Sequence, residues 1–192
     1  LDVLLSDPRF VSMKPQDKDA LHTFNANGHP FKVTYGNLIE LAKKGHFDVI
    51  AHGCNCHCVM GAGIAKTIRD TWPEVYAADC ATKKSDRSKM GTYSSAQIGD
   101  LTILNLYTQY NYTRSKVDVE YESVEKCFRL IKENFSGKRI GLPMIGAGLA
   151  GGSWGLIKEI IGNTLQGEDV TVVVFKDVPD VEPPVVEDKP QW

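Results

Sequence analysis

Between Phe47 and Trp72 the chain reads FDVIAHGCNCHCVMGAGIAKTIRDTW, an apolar strand that feeds a glycine turn and opens directly into a helix. Asp48 to Asn55 has the valine and isoleucine content of a buried strand, and Gly61, Ala62 and Gly63 let a backbone come close to a ligand. Ile64, Ile68 and Trp72 recur at helical spacing behind the turn, so the free N–H groups and positive dipole end of that helix point back at the glycines. Such a turn is an anion site, most often for phosphate. The same device recurs downstream: Arg139 to Leu142 as a short strand, Pro143 to Gly152 (PMIGAGLAGG) as a glycine-rich loop, and Trp154 to Leu165 as an amphipathic helix. Two such loops at one edge of an α/β sheet predict a diphosphate ligand.

The 192 residues suffice for one well-buried domain, and 22 basic against 24 acidic side chains leave a net charge of −2. Without a lysine or arginine cluster to track a polyanion, this argues against non-specific nucleic-acid binding and for a small ligand. No early apolar run is framed as a signal peptide, and Val170 to Phe175 is too short to span a bilayer, so the expectation is a cytoplasmic protein with no membrane partner. Five cysteines, three of them at Cys54, Cys56 and Cys58, do not form a disulfide framework. His52 and His57 invite a zinc reading, yet the spacing is not that of a structural zinc site and no second pair follows; neither a metal nor a cofactor is expected.

Residues 1–30 read as an N-terminal extension, 31–177 as the folded domain, and 178–192 (VPDVEPPVVEDKPQW) as an acidic, proline-rich flexible tail. Phe31 to Tyr35 is a strand and Gly36-Asn37 a turn with a capping residue, followed by a short helix to Gly45. Pro73 opens a helix whose apolar face is read as Val75, Ala78 and Cys80. Thr92 to Ile98 and Leu101 to Thr108 form a hairpin across Gly99-Asp100, and Val124, Cys127, Phe128 and Ile131 are a core-facing helical stripe. The domain is therefore α/β.

Three catalytic templates fail. Lys66-Thr67 lacks P-loop glycines, since Met60 and Ala65 stand in their places. Gly146, Gly148 and Gly151 match G-x-G-x-x-G, but only one strand remains after them, too little for a dinucleotide-binding domain. Ser153 sits in GGSWG, not in a nucleophile elbow, and is better read as the N-cap of the next helix.

The segments VTYGNL (Val33 to Leu38), IAHGCNCHCVMGAGIA (Ile50 to Ala65), NLYTQ (Asn105 to Gln109) and LPMIGAGLAGGSW (Leu142 to Trp154), in this order, resemble the macro domain family. HGCN followed by MGAGIA is most similar to the branch of ADP-ribose-1″-phosphate phosphatases and ADP-ribosyl-glutamate hydrolases. The resemblance implies a three-layer α/β/α fold with a mixed central sheet. It also implies ADP-ribose or a derivative as ligand, an ADP-ribosylated protein as a further partner, and hydrolysis at the distal ribose 1″ position, with a non-catalytic reader as the alternative. Gly61, Ala62, Gly63, Ile64 and Ala65 would wrap the distal ribose and one phosphate. Ile145, Gly146, Ala147, Gly148, Leu149 and Ala150 would give backbone N–H groups to the diphosphate. Asn55 would bond the distal ribose, or else cap its own loop. Where the family commonly has an aspartate accepting from the adenine amino group, this chain has Asn37, beside Leu38, and its amide oxygen is expected to accept instead. Some hydrolases of the branch carry an acid where Ala150 stands, and others have GGDW in place of GGSW. His52 is the proton-transfer candidate and His57 a second, although a histidine on a strand is equally a structural residue.

Overall fold

A computed structural model describes residues 21–113, 115–148 and 150–176. Alternating and continuous apolar runs become strands β1 (Leu21–Phe24), β2 (Pro30–Gly36), β3 (Val49–Cys54), β4 (Tyr93–Ile98), β5 (Leu101–Tyr107), β6 (Arg139–Leu142) and β7 (Asp169–Phe175). The helical stripes become α1 (Leu38–Lys43), α2 (Gly63–Thr71), α3 (Pro73–Cys80), α4 (Tyr121–Phe135) and α5 (Trp154–Thr164). Among the described residues the strands form one sheet in the order β1-β2-β7-β6-β3-β5-β4. From β2 to β5 all neighbours are parallel, and β1 and β4 pair antiparallel at the two edges. The sheet is mixed and the fold α/β.

The side-chain period of two sorts β3 between two cores. Val49 and Ala51 join Val124, Phe128, Ile131, Ile157 and Ile161 beneath α4 and α5. Ile50 joins Leu38, Ile39, Ala42, Ile68 and Val75 beneath α1, α2 and α3. Helices therefore cover both faces in three layers. Phe128 is fully buried, and its removal to alanine would cost about 3–5 kcal/mol.

Two expectations shift. Leu21–Phe24, inside the stretch read as an N-terminal extension, pairs residue for residue with Val33 back to Pro30, so the sheet begins upstream of residue 31. On α3 the buried positions are Val75 and Asp79, one turn apart, while Cys80 is exposed. The Tyr107 hydroxyl draws Asp79 inward by donating to its carboxylate at 2.7 Å. The tail at 178–192 and residues 1–20 lie outside the described residues.

Candidate ligand cleft

The parallel strands β3 and β6 end at the same edge, and each is followed by a glycine-rich loop. After β3, α2 begins at Gly63 with Ala62 in the N-cap position and no side chain capping it. Lys66 N–H is bonded back to Ala62 O at 3.2 Å, which leaves the N–H groups of Gly63, Ile64 and Ala65 without intrahelical partners. The second unit differs. Ser153 Oγ accepts from Leu156 N–H at 3.5 Å and caps α5, as expected from its position. Any anion contact there falls to the loop itself. Within it, Ile145 N–H is bonded to Pro143 O at 2.8 Å and Ala147 N–H to Met144 O at 3.3 Å, so these two are committed to the turn. Gly146, Gly148 and Ala150 donate no backbone hydrogen bond among the described residues.

The two loops face each other across a cleft of about 340 Å³. One wall carries Gly61, Ala62, Gly63, Ile64 and Ala65; the other carries Ile145, Gly146, Gly148 and Ala150. Ala147 does not line it, and Leu149 lies outside the described residues. Sequence reasoning missed Gln109 and Tyr112 on the lining, although Gln109 closes the NLYTQ segment and Tyr112 follows in the polar loop. No lysine, arginine, histidine or carboxylate lines the cleft among the described residues. Cys54 does, but burial pushes its thiol well above the usual range, so it stays protonated.

Asn55 borders the cleft with its amide already engaged. Its Oδ1 accepts from His57 N–H at 2.9 Å, and its Nδ2 donates to Val59 O at 2.8 Å. One N–H and one lone pair remain for a ligand. Asn37 and Leu38 stand away from this lining, at the end of β2. Asn37 caps α1, its Oδ1 accepting from Ile39 N–H at 3.0 Å and Glu40 N–H at 3.2 Å. Both lone pairs are thereby filled, so the oxygen expected to accept from adenine is taken. Leu38 is a buried core residue.

His52 does not border the cleft and is wholly buried. Its partner across the β3–β5 ladder is Asn105, whose Oδ1 accepts from His52 Nε2–H at 2.7 Å. Asn105 Nδ2 in turn donates to Val75 O at 3.0 Å and Ser94 Oγ at 3.1 Å. Burial pulls the imidazole pKa down to about 4, with the Asn105 bond opposing it. A neutral ring sealed in the layer under α3 cannot exchange a proton with a ligand in the cleft, and the catalytic expectation for His52 is corrected to a structural one. His57 lies elsewhere. With Lys84, Asn111 and Thr113 it lines a shallower groove that shares Val59 and Tyr112 with the cleft. Its Nδ1 meets Ser85 Oγ at 2.7 Å and its Nε2 meets Asn111 Oδ1 at 3.0 Å.

A family model described as Macro domain matches residues 51–161. An uncharacterized 17.5 kDa protein from the tk–vs intergenic region of Enterobacteria phage T4 is 30% identical over 151 residues, which cover 74% of this chain and 94% of that protein. Among solved structures, a Bacteroides thetaiotaomicron protein of unknown function has a TM-score of 0.61 at 22% identity, covering 76% of this chain and 98% of its own. The macrodomain of Mycobacterium tuberculosis DarG gives 0.56 at 20% identity over 77% of this chain and 99% of its own. Thermosipho africanus DarTG, solved in complex with ADP-ribose, gives 0.61 at 20% identity over 83% of this chain and 44% of its own. These structures share the fold. The matched span runs from β3 through α5 and includes both glycine loops, and with the phage relative beside it the chain belongs to the macro domain family.

Proposed function

We propose that this chain binds ADP-ribose, with the diphosphate between the opening of α2 and the loop after β6. The observation that carries this reading is the pairing of an uncapped helix start with the loop N–H groups of Gly146, Gly148 and Ala150, which donate no backbone hydrogen bond among the described residues, across one cleft that those residues line with no charged side chain. Fixed backbone donors and a helix dipole neutralise a diphosphate without salt bridges. Asn55, Gln109 and Tyr112 at the β5 side offer neutral polar groups to the distal ribose. Phe175, 74% exposed at the end of β7, offers a flat face to the base at the other side. Calorimetric titration with ADP-ribose tests the reading; heats no larger than those of buffer would end it.

A second reading, hydrolysis at the 1″ position, is favoured by the groove beyond Tyr112. It opens the ribose end of the cleft toward His57 and Lys84, which leaves room for a phosphate or a modified protein joined to the ribose. Release of phosphate from ADP-ribose-1″-phosphate, or of ADP-ribose from glutamate-linked protein, would establish the enzyme. Its absence in both assays leaves a reader.

A further inference from the structure

We propose that Cys58 and Lys89 form a peroxide-sensitive modification site, in which the oxidised sulfur of Cys58 is captured by the Lys89 amine as a sulfenamide cross-link. The proposal is independent of what the cleft binds. Cys58 stands half-buried in the loop between β3 and α2, and its Sγ donates to Asp79 O at 3.4 Å. Lys89 ends the 3-10 turn Arg87–Lys89, which Asp86 caps by accepting from Ser88 N–H at 2.9 Å. The lysine is only 8% exposed. Its Nζ donates to Thr82 Oγ1 at 2.9 Å, lies 4.7 Å from the centre of the Tyr107 ring, and comes within 3.9 Å of Cys58 Sγ. A buried amine thus rests against a thiol that solvent can reach.

The other cysteines lack one half of that pair. Burial pushes the thiols of Cys54 and Cys56 above the usual range and that of Cys127 up to about 12, so they keep their protons. Their sulfurs also face other groups: Cys54 faces His52 and Asn105, Cys56 faces Met90 Sδ and Gln109 O, and Cys127 faces Thr92 O. Cys80 is exposed, and no hydrogen bond joins it to an amine among the described residues. The reaction consumes one hydrogen peroxide. The Cys58 thiolate attacks a peroxide oxygen, the O–O bond breaks, and a sulfenic acid and hydroxide result. Hydroxide takes a proton from the Lys89 ammonium. The freed amine attacks the sulfur, forming the S–N bond, and the sulfenic oxygen leaves as water with one amine proton. Sulfur has lost two electrons and peroxide has gained them. Backbone nitrogen captures sulfenic acids in the same way, and the flexible stem of lysine lets Nζ close the gap. The product ties the turn at 87–89 to the loop one residue before Val59 of the cleft lining.

The test is treatment of the full chain with hydrogen peroxide, followed by proteolysis and mass spectrometry with and without dithiothreitol. The parent protein should yield a peptide that joins Cys58 to Lys89, two hydrogens lighter than its separate parts, which dithiothreitol takes apart. Lys89→Arg keeps the positive charge, but its guanidinium is no nucleophile. In that variant the joined peptide should vanish, and dimedone should label Cys58 as the sulfenic acid. Exposed Cys80, outside the pair, reports that peroxide has reacted with the protein. The proposal is overturned if Cys58 in the parent stays a thiol while Cys80 is oxidised, if it ends in a disulfide, or if it becomes a sulfinic acid with Lys89 unmodified. Equal dimedone labelling of Cys58 in the parent and in Lys89→Arg overturns it as well.

Discussion

Gly146 and Gly148 stand two residues apart in the loop after β6, and the fold constrains them differently. At Gly146 φ is +73°, and a Cβ would come 2.7 Å from Val119 Cγ2, so the protein itself excludes a side chain. At Gly148 φ lies outside the left-handed region and, among the described residues, a Cβ meets no atom within 4 Å beyond its chain neighbours, so folding tolerates one. Gly148→Glu should therefore melt near the parent temperature but lose the rise that ADP-ribose produces, and Gly148→Ala should lose less of it. A full ligand-induced rise in Gly148→Glu would place the diphosphate elsewhere. His52 yields a second prediction through linkage. Its pKa falls from an ordinary 6.5 to about 4 on folding, so the unfolded chain binds the proton first as the pH drops. The stability it contributes is full above pH 6.5 and is lost on descending toward pH 4, by up to roughly 3 kcal/mol. Urea titrations at pH 7 and pH 5 should show that loss, and His52→Gln, which still donates to Asn105, should show a shallower pH dependence. An equal slope in the two proteins would remove His52 as its source.

At the level of elements, what the sequence disclosed was local. The Gly99-Asp100 hairpin, proline in the first turn of α3, the Ser153 cap and the apolar stripe of α4 each depend on residues a few positions apart, and each forms as read. What it did not disclose depends on partners far along the chain. Asp79 is buried through Tyr107, and His52 is neutralised by burial against Asn105 on β5. The start of α2 shows how an element left incomplete can serve a ligand: with Ala62 as N-cap, its first N–H groups await an acceptor from outside. Ala62→Asp would supply one. The variant should be more stable when free, by about 1 kcal/mol or a few degrees of melting temperature for a chain of this size. Its ADP-ribose affinity should fall at least tenfold, because the carboxylate both occupies those donors and repels the diphosphate. A stabilised variant with unchanged affinity would show that the diphosphate does not use α2.

At the scale of the molecule, the cleft takes its shape because β7, the last of the described strands, inserts between β2 and β6. That order sets Phe175 opposite Gly36 in register at the β2 side of the row, while Asn55 and Gln109 line the cleft toward β5. No local pattern carries strand order, so the two glycine loops were legible in the sequence while Tyr112 on the lining was not. The completed row also sets a choice between ligands. Its centre presents backbone N–H groups without partners at the start of α2, and its β5 flank is neutral and polar, with no lysine or arginine on the cleft lining among the described residues. In the proposed pose ADP-ribose would set a ribose on that flank, where hydroxyls can exchange hydrogen bonds with the two amides. ATP places a third phosphate there, and its added charge finds no cation on the lining to offset the lost hydration. Thermal melting in parallel series should therefore separate the two. At a hundred times its dissociation constant ADP-ribose contributes about 2.7 kcal/mol of stability, and ATP at the same concentration should raise the melting temperature far less. Equal rises would mean that the β5 flank makes no contact with the second ribose, and the cleft would have to be read as a general nucleotide site.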